Sequence, residues 1–134
     1  GCFYIDPTSK KPTYSNYYPG SINVTSAGSI SGSTNIDAYI YDDPYMLFEA
    51  QCDGTLAKTD IGKNTDTVLT TGSTVNGLSK NEIDDSTEAT TAGLQVKIIG
   101  ITKDPENDDA SSANANWYVM FNEHVKLGTG ITGT

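Results

Sequence analysis

His124 is the single histidine of the chain and follows Glu123, so chemistry that needs an imidazole has to converge there. Serines are plentiful, which makes a Ser-His-acid set possible by composition. No Gly-x-Ser-x-Gly elbow presents a serine on a strand-to-helix turn, however. His124 is therefore read as a surface or capping residue near the end of a strand. One histidine and the two cysteines Cys2 and Cys52 are too few ligands, and too scattered, for a structural zinc site. The cysteines are compatible with one disulfide but do not require it. Each lies on an expected strand beside aromatic or apolar neighbours, which favours buried free thiols.

Carboxylates are the more promising chemistry. Asp104, Glu106, Asp108 and Asp109 crowd one loop, and oxygen-rich loops are where calcium binds. Their spacing does not follow Asp-x-Asp-x-Asp-Gly with a glutamate at the twelfth position, so residues 104–109 are read as a solvated loop and no metal or cofactor is assigned. The pairs Asp42-Asp43 and Asp84-Asp85 read as turn chemistry, in which a carboxylate caps nearby amides. Eight tyrosines remain. Tyr17, Tyr18, Tyr39 and Tyr41 are the candidate contact surface, since tyrosine combines a large apolar ring with a polar tip. Ordinary strand packing is the competing role for these rings.

Charge narrows the partners. The net charge is −9, and all eight basic residues are lysines. Without arginine the chain lacks the side chain best suited to bidentate phosphate recognition, and its overall sign repels polyanions. Nucleic acid and anionic membranes are thus excluded as expected partners. No apolar run approaches the ~20 residues needed to span a bilayer as a helix.

Ser and Thr supply 30 residues and Gly a further 13, a mixture suited to strands joined by many turns. Residues 2–5 and 13–18 are β-prone and stop at Asp6-Pro7 and Pro19-Gly20. Residues 21–35 read as a loop or weak edge strand. Strands are expected at 35–41 and 45–52; in the second, Met46, Phe48 and Ala50 share one face, while Leu47, Glu49 and Gln51 share the other. The clearest strands are 94–101, with Leu94, Val96 and Ile98 inward, and 116–122, with Trp117, Val119 and Phe121 on one side. Residues 56–62 fit a single helical turn closed by Gly62. Residues 64–93 are polar with short β-prone pieces, and Asn76-Gly77 is a favoured hairpin pair. The expected fold is all-β, an antiparallel β-sandwich or β-barrel with long polar loops. It forms a single domain over 1–134, with a folded core at 1–126. The Gly/Thr-rich tail at 127–134 is expected to be flexible or ordered only against a partner.

One resemblance runs along the chain. Gly1-Cys2-Phe3-Tyr4, Asp6-Pro7-Thr8 and Lys10-Lys11-Pro12 are followed by Tyr17-Tyr18-Pro19-Gly20 and by Ala38-Tyr39-Ile40-Tyr41-Asp42-Asp43-Pro44-Tyr45. Leu47-Phe48-Glu49, Thr59-Asp60-Ile61-Gly62, Gly77-Leu78-Ser79 and Asp84-Asp85-Ser86-Thr87 come next. Ile98-Ile99-Gly100-Ile101, Ala113-Asn114-Ala115-Asn116-Trp117 and Asn122-Glu123-His124 complete the series. In this order they resemble small virion structural proteins of tailed bacteriophages, podovirus-like and marine or cyanophage-type, that are encoded near the major capsid protein. The resemblance implies a cement or decoration protein on the outer capsid surface that is not an enzyme. Its expected partners are the major capsid protein and further copies of itself, as a trimer. Such proteins carry an additional stretch before the segment matching Gly1-Cys2-Phe3-Tyr4, so a further N-terminal segment is expected in the native chain.

Two other classes compete. A β-module of an extracellular filament or adhesin would assemble by strand addition along a sheet edge. A glycan-binding module would use Tyr17, Tyr18 or Tyr39 as stacking rings.

Overall fold

The computed structural model describes residues 1–6, 9, 11–17, 37–73, 75–107, 110–128 and 130–134. Tyr18, the stretch 21–35, and Asp108 and Asp109 of the acidic loop lie outside them. The chain is all-β as expected: its strands form antiparallel sheets, none closed into a barrel, and the helical content among the described residues is one 3-10 turn. Of the two expected architectures, the open sandwich type is the one consistent with this. No helix among the described residues is long and apolar enough to cross a membrane. The chain divides into two compact units, one of residues 1–42 and 72–79 and the other of 43–71 and 80–134.

In the first unit, β1 (Cys2–Ile5) pairs antiparallel with β2 (Pro12–Ser15) on one side and β3 (Asp37–Ala38) on the other. Cys2 is the one buried apolar residue described in this unit, and its thiol donates to the Tyr17 carbonyl at 3.1 Å. Asn76-Gly77 forms the expected turn: Gly77 adopts φ +71°, and the Asn76 side chain accepts the Leu78 amide.

The second unit holds the core. Its four-stranded sheet runs β4 (Phe48–Gln51), β9 (Asn116–Phe121), β8 (Val96–Ile101), β5 (Asn64–Thr65), and a separate ribbon pairs β6 (Thr67–Val68) with β7 (Glu82–Ile83). Alternation places the side chains as read: Met46, Phe48 and Ala50 turn inward, while Leu47, Glu49 and Gln51 are exposed. Val96, Ile98, Trp117 and Val119 are buried together with Leu56, Ile83 and Cys52. Phe121 continues this face but lies 39% exposed, its ring set edge-on to Phe48 at 5.0 Å.

β8 carries an irregularity that periodicity alone does not show. Ile98 faces Val119 and Gly100 faces Tyr118, so Ile99 is the extra residue of a bulge. The inward set consequently switches from Val96 and Ile98 to Ile101, which meets Trp117. The helical turn expected at 56–62 is a 3-10 turn, Lys58–Asp60, and Gly62 leaves it at φ +96°.

The Gly/Thr-rich tail, expected to be flexible or to order on a partner, is hydrogen-bonded to its own unit over residues 130–134. Asn122, buried at the end of β9, accepts the Ile131 amide, and buried Asn64 donates to the Ile131 carbonyl. Polar side chains in the core hold this segment, whereas a reading based on apolar pattern sees only glycine and threonine.

Candidate functional site

Three groups of residues merit consideration as a site. His124 accepts the Lys126 amide on Nδ1 at 3.1 Å, and its carbonyl receives the Leu127 and Gly128 amides. The ring thereby organises the turn after β9, the capping role expected of it.

The acidic residues divide by location. Asp104 Oδ1 accepts the Glu106 amide at 2.9 Å, and Asn107 bridges the Thr102 and Asn116 carbonyls through Nδ2 while accepting the Asn116 amide on Oδ1. The described part of the acidic loop is thus closed by turn and asparagine hydrogen bonds. Asp43 similarly accepts the Tyr45 amide. Asp84 behaves in the same manner toward the Ser86 amide and hydroxyl, yet together with Asp85 it also meets a third carboxylate, Asp53. One oxygen from each lies within 4.8 Å of the others.

This triad is built by β-pairing. Cys52 bridges to Ile83 in parallel, and the Asp53 amide donates to the Ile83 carbonyl at 3.0 Å, which brings two turns distant in sequence side by side. Asp53 Oδ1 then accepts the Asp85 amide, and Asp85 Oδ2 accepts the Thr55 amide. A Cβ at Gly54 would overlap the Asp85 carboxylate, so the close approach depends on glycine. Burial pushes the pKa of the nearby Cys52 thiol up; the Gly54 amide partly opposes this, while Asp85, Asp53 and Asp84 add to it. The thiol is therefore kept neutral and poorly nucleophilic. Both cysteines are buried free thiols. Hard carboxylate oxygens of this kind would suit a calcium or magnesium ion. They also serve, without any ion, as acceptors for the turn amides they face. Asp53 is the member that sequence reading missed, because the parallel bridge that recruits it has no local signature.

Tyrosines supply the third group. Tyr39 is 60% exposed and Tyr41 75%, with Ile40 between them at 76%. Tyr14, also exposed, packs its ring against Tyr39 with centroids 6.4 Å apart and planes tilted by 49°. Tyr17 is less exposed, and its carbonyl rather than its ring engages Cys2. The structure thus brings Tyr39 together with Tyr14, a ring not singled out in sequence. Residues 37–38 are tied to β1, and the Tyr39 amide donates to the Gly1 carbonyl, so the strip beginning at Tyr39 leaves an anchored edge.

No family profile matches the chain, and neither a curated protein nor a solved structure matches it.

Proposed function

We propose that the chain is a virion structural protein, a capsid cement or decoration protein that binds the major capsid protein on the outer surface of a tailed-phage shell. It acts as a homo-oligomer, a trimer, and catalyses nothing. The observation that carries this reading is the exposed strip Tyr39-Ile40-Tyr41 with Tyr14 against it, a run of large apolar side chains facing outward from a small antiparallel sheet. Apolar strips of this kind mark contact surfaces in soluble proteins. The resemblance of the ordered sequence segments to small virion proteins is what suggests a capsid partner, and the acidic, arginine-free composition fits a surface that must not bind packaged nucleic acid. Threefold assembly suits a shell because one contact patch is reused three times. The test is mass analysis of purified particles. This reading expects the chain in fixed ratio to a capsid protein, and its absence from particles overturns it.

Among the described residues β2 and β3 are the outer strands of their sheet, a position that suits strand addition and keeps a filament or adhesin subunit as the rival. Electron micrographs of the native assembly separate icosahedral shells from helical fibres.

A further inference from the structure

Residues 130–134 are held almost entirely by their main chain. The Ile131 amide donates to Asn122 Oδ1 at 2.9 Å, and the Ile131 carbonyl accepts from Asn64 Nδ2 at 2.7 Å. Lys97 Nζ reaches the Thr132 carbonyl at 3.3 Å. The Gly133 and Thr134 amides donate to the carbonyls of Thr90 and Gly62, each at 3.0 Å. Ile131 itself points outward, 64% exposed. Two positions leave no room for a side chain. A Cβ at Gly130 would overlap the Ala92 carbonyl oxygen and the Asn122 amide, and one at Gly133 would come within 2.9 Å of Lys63 Cα.

Asn122 and Asn64 are built for this task. Asn122 is buried and donates to the Ala92 and Leu94 carbonyls, which fixes its Oδ1 toward Ile131. Asn64 is fully buried and shares Nδ2 between Thr91 and Ile131. Two buried amides aimed at one extended segment, with glycines where they approach, are the elements of a peptide-recognition slot of Gly-x-x-Gly pattern.

We infer that this slot is a peptide-binding site, filled in cis by residues 130–134 and able to take the same Gly-Ile-Thr-Gly-Thr segment from a second copy of the chain. The inference is independent of the capsid reading. With Ile131 outside, little apolar area holds the segment down, so local release costs far less than global unfolding. Release uncovers the Ile131-facing groups of Asn122 and Asn64, and a like segment can restore the same hydrogen bonds. The connecting turn is exposed at Val125 and passes through Gly128, which adopts φ +75°. Exchange of such a segment between copies is a low-cost route to association.

Native-state hydrogen exchange on the full chain tests release. The Ile131 and Thr134 amides should exchange at least about tenfold faster than those of Ile98 and Val119. Exchange of Ile131 only at the global unfolding rate overturns the proposal. The slot is tested in the full-length Gly130→Ala chain, whose own segment is expelled, with Gly133→Ala used instead if that variant does not fold. A capped Gly-Ile-Thr-Gly-Thr peptide at millimolar concentration should shift the side-chain amide resonances of Asn64 and Asn122, and capped Ala-Ile-Thr-Gly-Thr should not. No shift, or equal shifts with both peptides, overturns it.

Discussion

Trp117 stands directly opposite Ala50 across the ladder between β9 and β4, and on its other side opposite Ile101 of β8. A small residue on one flank and a branched one on the other leave the central strand room for an indole with no solvent exposure. Trp117→Ala should therefore cost about 3–5 kcal/mol, the range for deleting a buried large aromatic. Chemical denaturation measures this, and the native tryptophan emission should be blue-shifted. Unchanged stability would contradict the central position of Trp117.

Asp60 caps its own turn by accepting the Ala57 amide at 2.7 Å, and it pairs with Lys63 at 2.8 Å. Burial acts to raise its pKa, but the Lys63 hydrogen bond, the Ala57 amide and the Lys63 charge together hold it below the usual carboxylate value. The Asp60 hydrogen bond in turn holds the Lys63 ammonium above its usual pKa. The contribution of Asp60 is fully present above its unfolded pKa of about 3.9 and is lost as pH falls through the lower folded value. That of Lys63 is present below about 10.4 and is lost as pH rises through its raised value. Asp60→Asn should flatten the acid limb of a melting-temperature profile below about pH 4. An unaltered acid limb would remove Asp60 from the account.

The carboxylates of Asp53, Asp84 and Asp85 each satisfy turn amides. Asp85→Asn keeps an oxygen for the Thr55 amide and removes one like charge, so its stability should stay within about 0.5 kcal/mol of the parent. Asp85→Ala loses the hydrogen bond and should cost about 1 kcal/mol. Millimolar calcium should raise the melting temperature no more than sodium chloride of equal ionic strength, and EDTA should leave it unchanged. A calcium-specific rise, reversed by EDTA, would turn the triad into a metal site.

The strands with one wet face were legible because their apolar residues alternate: Met46 through Gln51, Val96 through Ile98, and Trp117 with Val119 all sit as their pattern requires. β5 and β7 were not. Asn64 and Thr65 are wholly buried polar residues, the Asn64 Nδ2 donating to the Thr91 and Ile131 carbonyls and the Thr65 hydroxyl meeting that of Thr87, so a hydrophobic pattern has nothing to detect. The same blindness hid the Asn122 and Asn64 anchors of residues 130–134. At the candidate contact surface, Tyr39 and Tyr41 were singled out by residue type with strand packing as the competing role, while the ring pairing of Tyr39 with Tyr14 depends on β1 lying between β2 and β3.

If the strip at Tyr39 makes the contact, Ile40→Asp should weaken attachment to shells at least tenfold. Its effect on the stability of the isolated protein should remain within about 0.5 kcal/mol, because the side chain is 76% exposed. Co-sedimentation with particles and denaturation of the free protein measure the two effects. Undiminished attachment would move the contact elsewhere on the surface.

The most direct measurement of the proposed cement role is the melting of shells stripped of the protein, with and without its re-addition. A ligand that binds only the assembled shell must stabilise it by mass action, so re-addition should raise the shell's melting temperature in proportion to occupancy. Because a chain of net charge −9 gains little from ion pairs, added salt should leave that rise intact. Equal melting with and without the protein, or binding to free capsid subunits and not to assembled shells, would contradict the account.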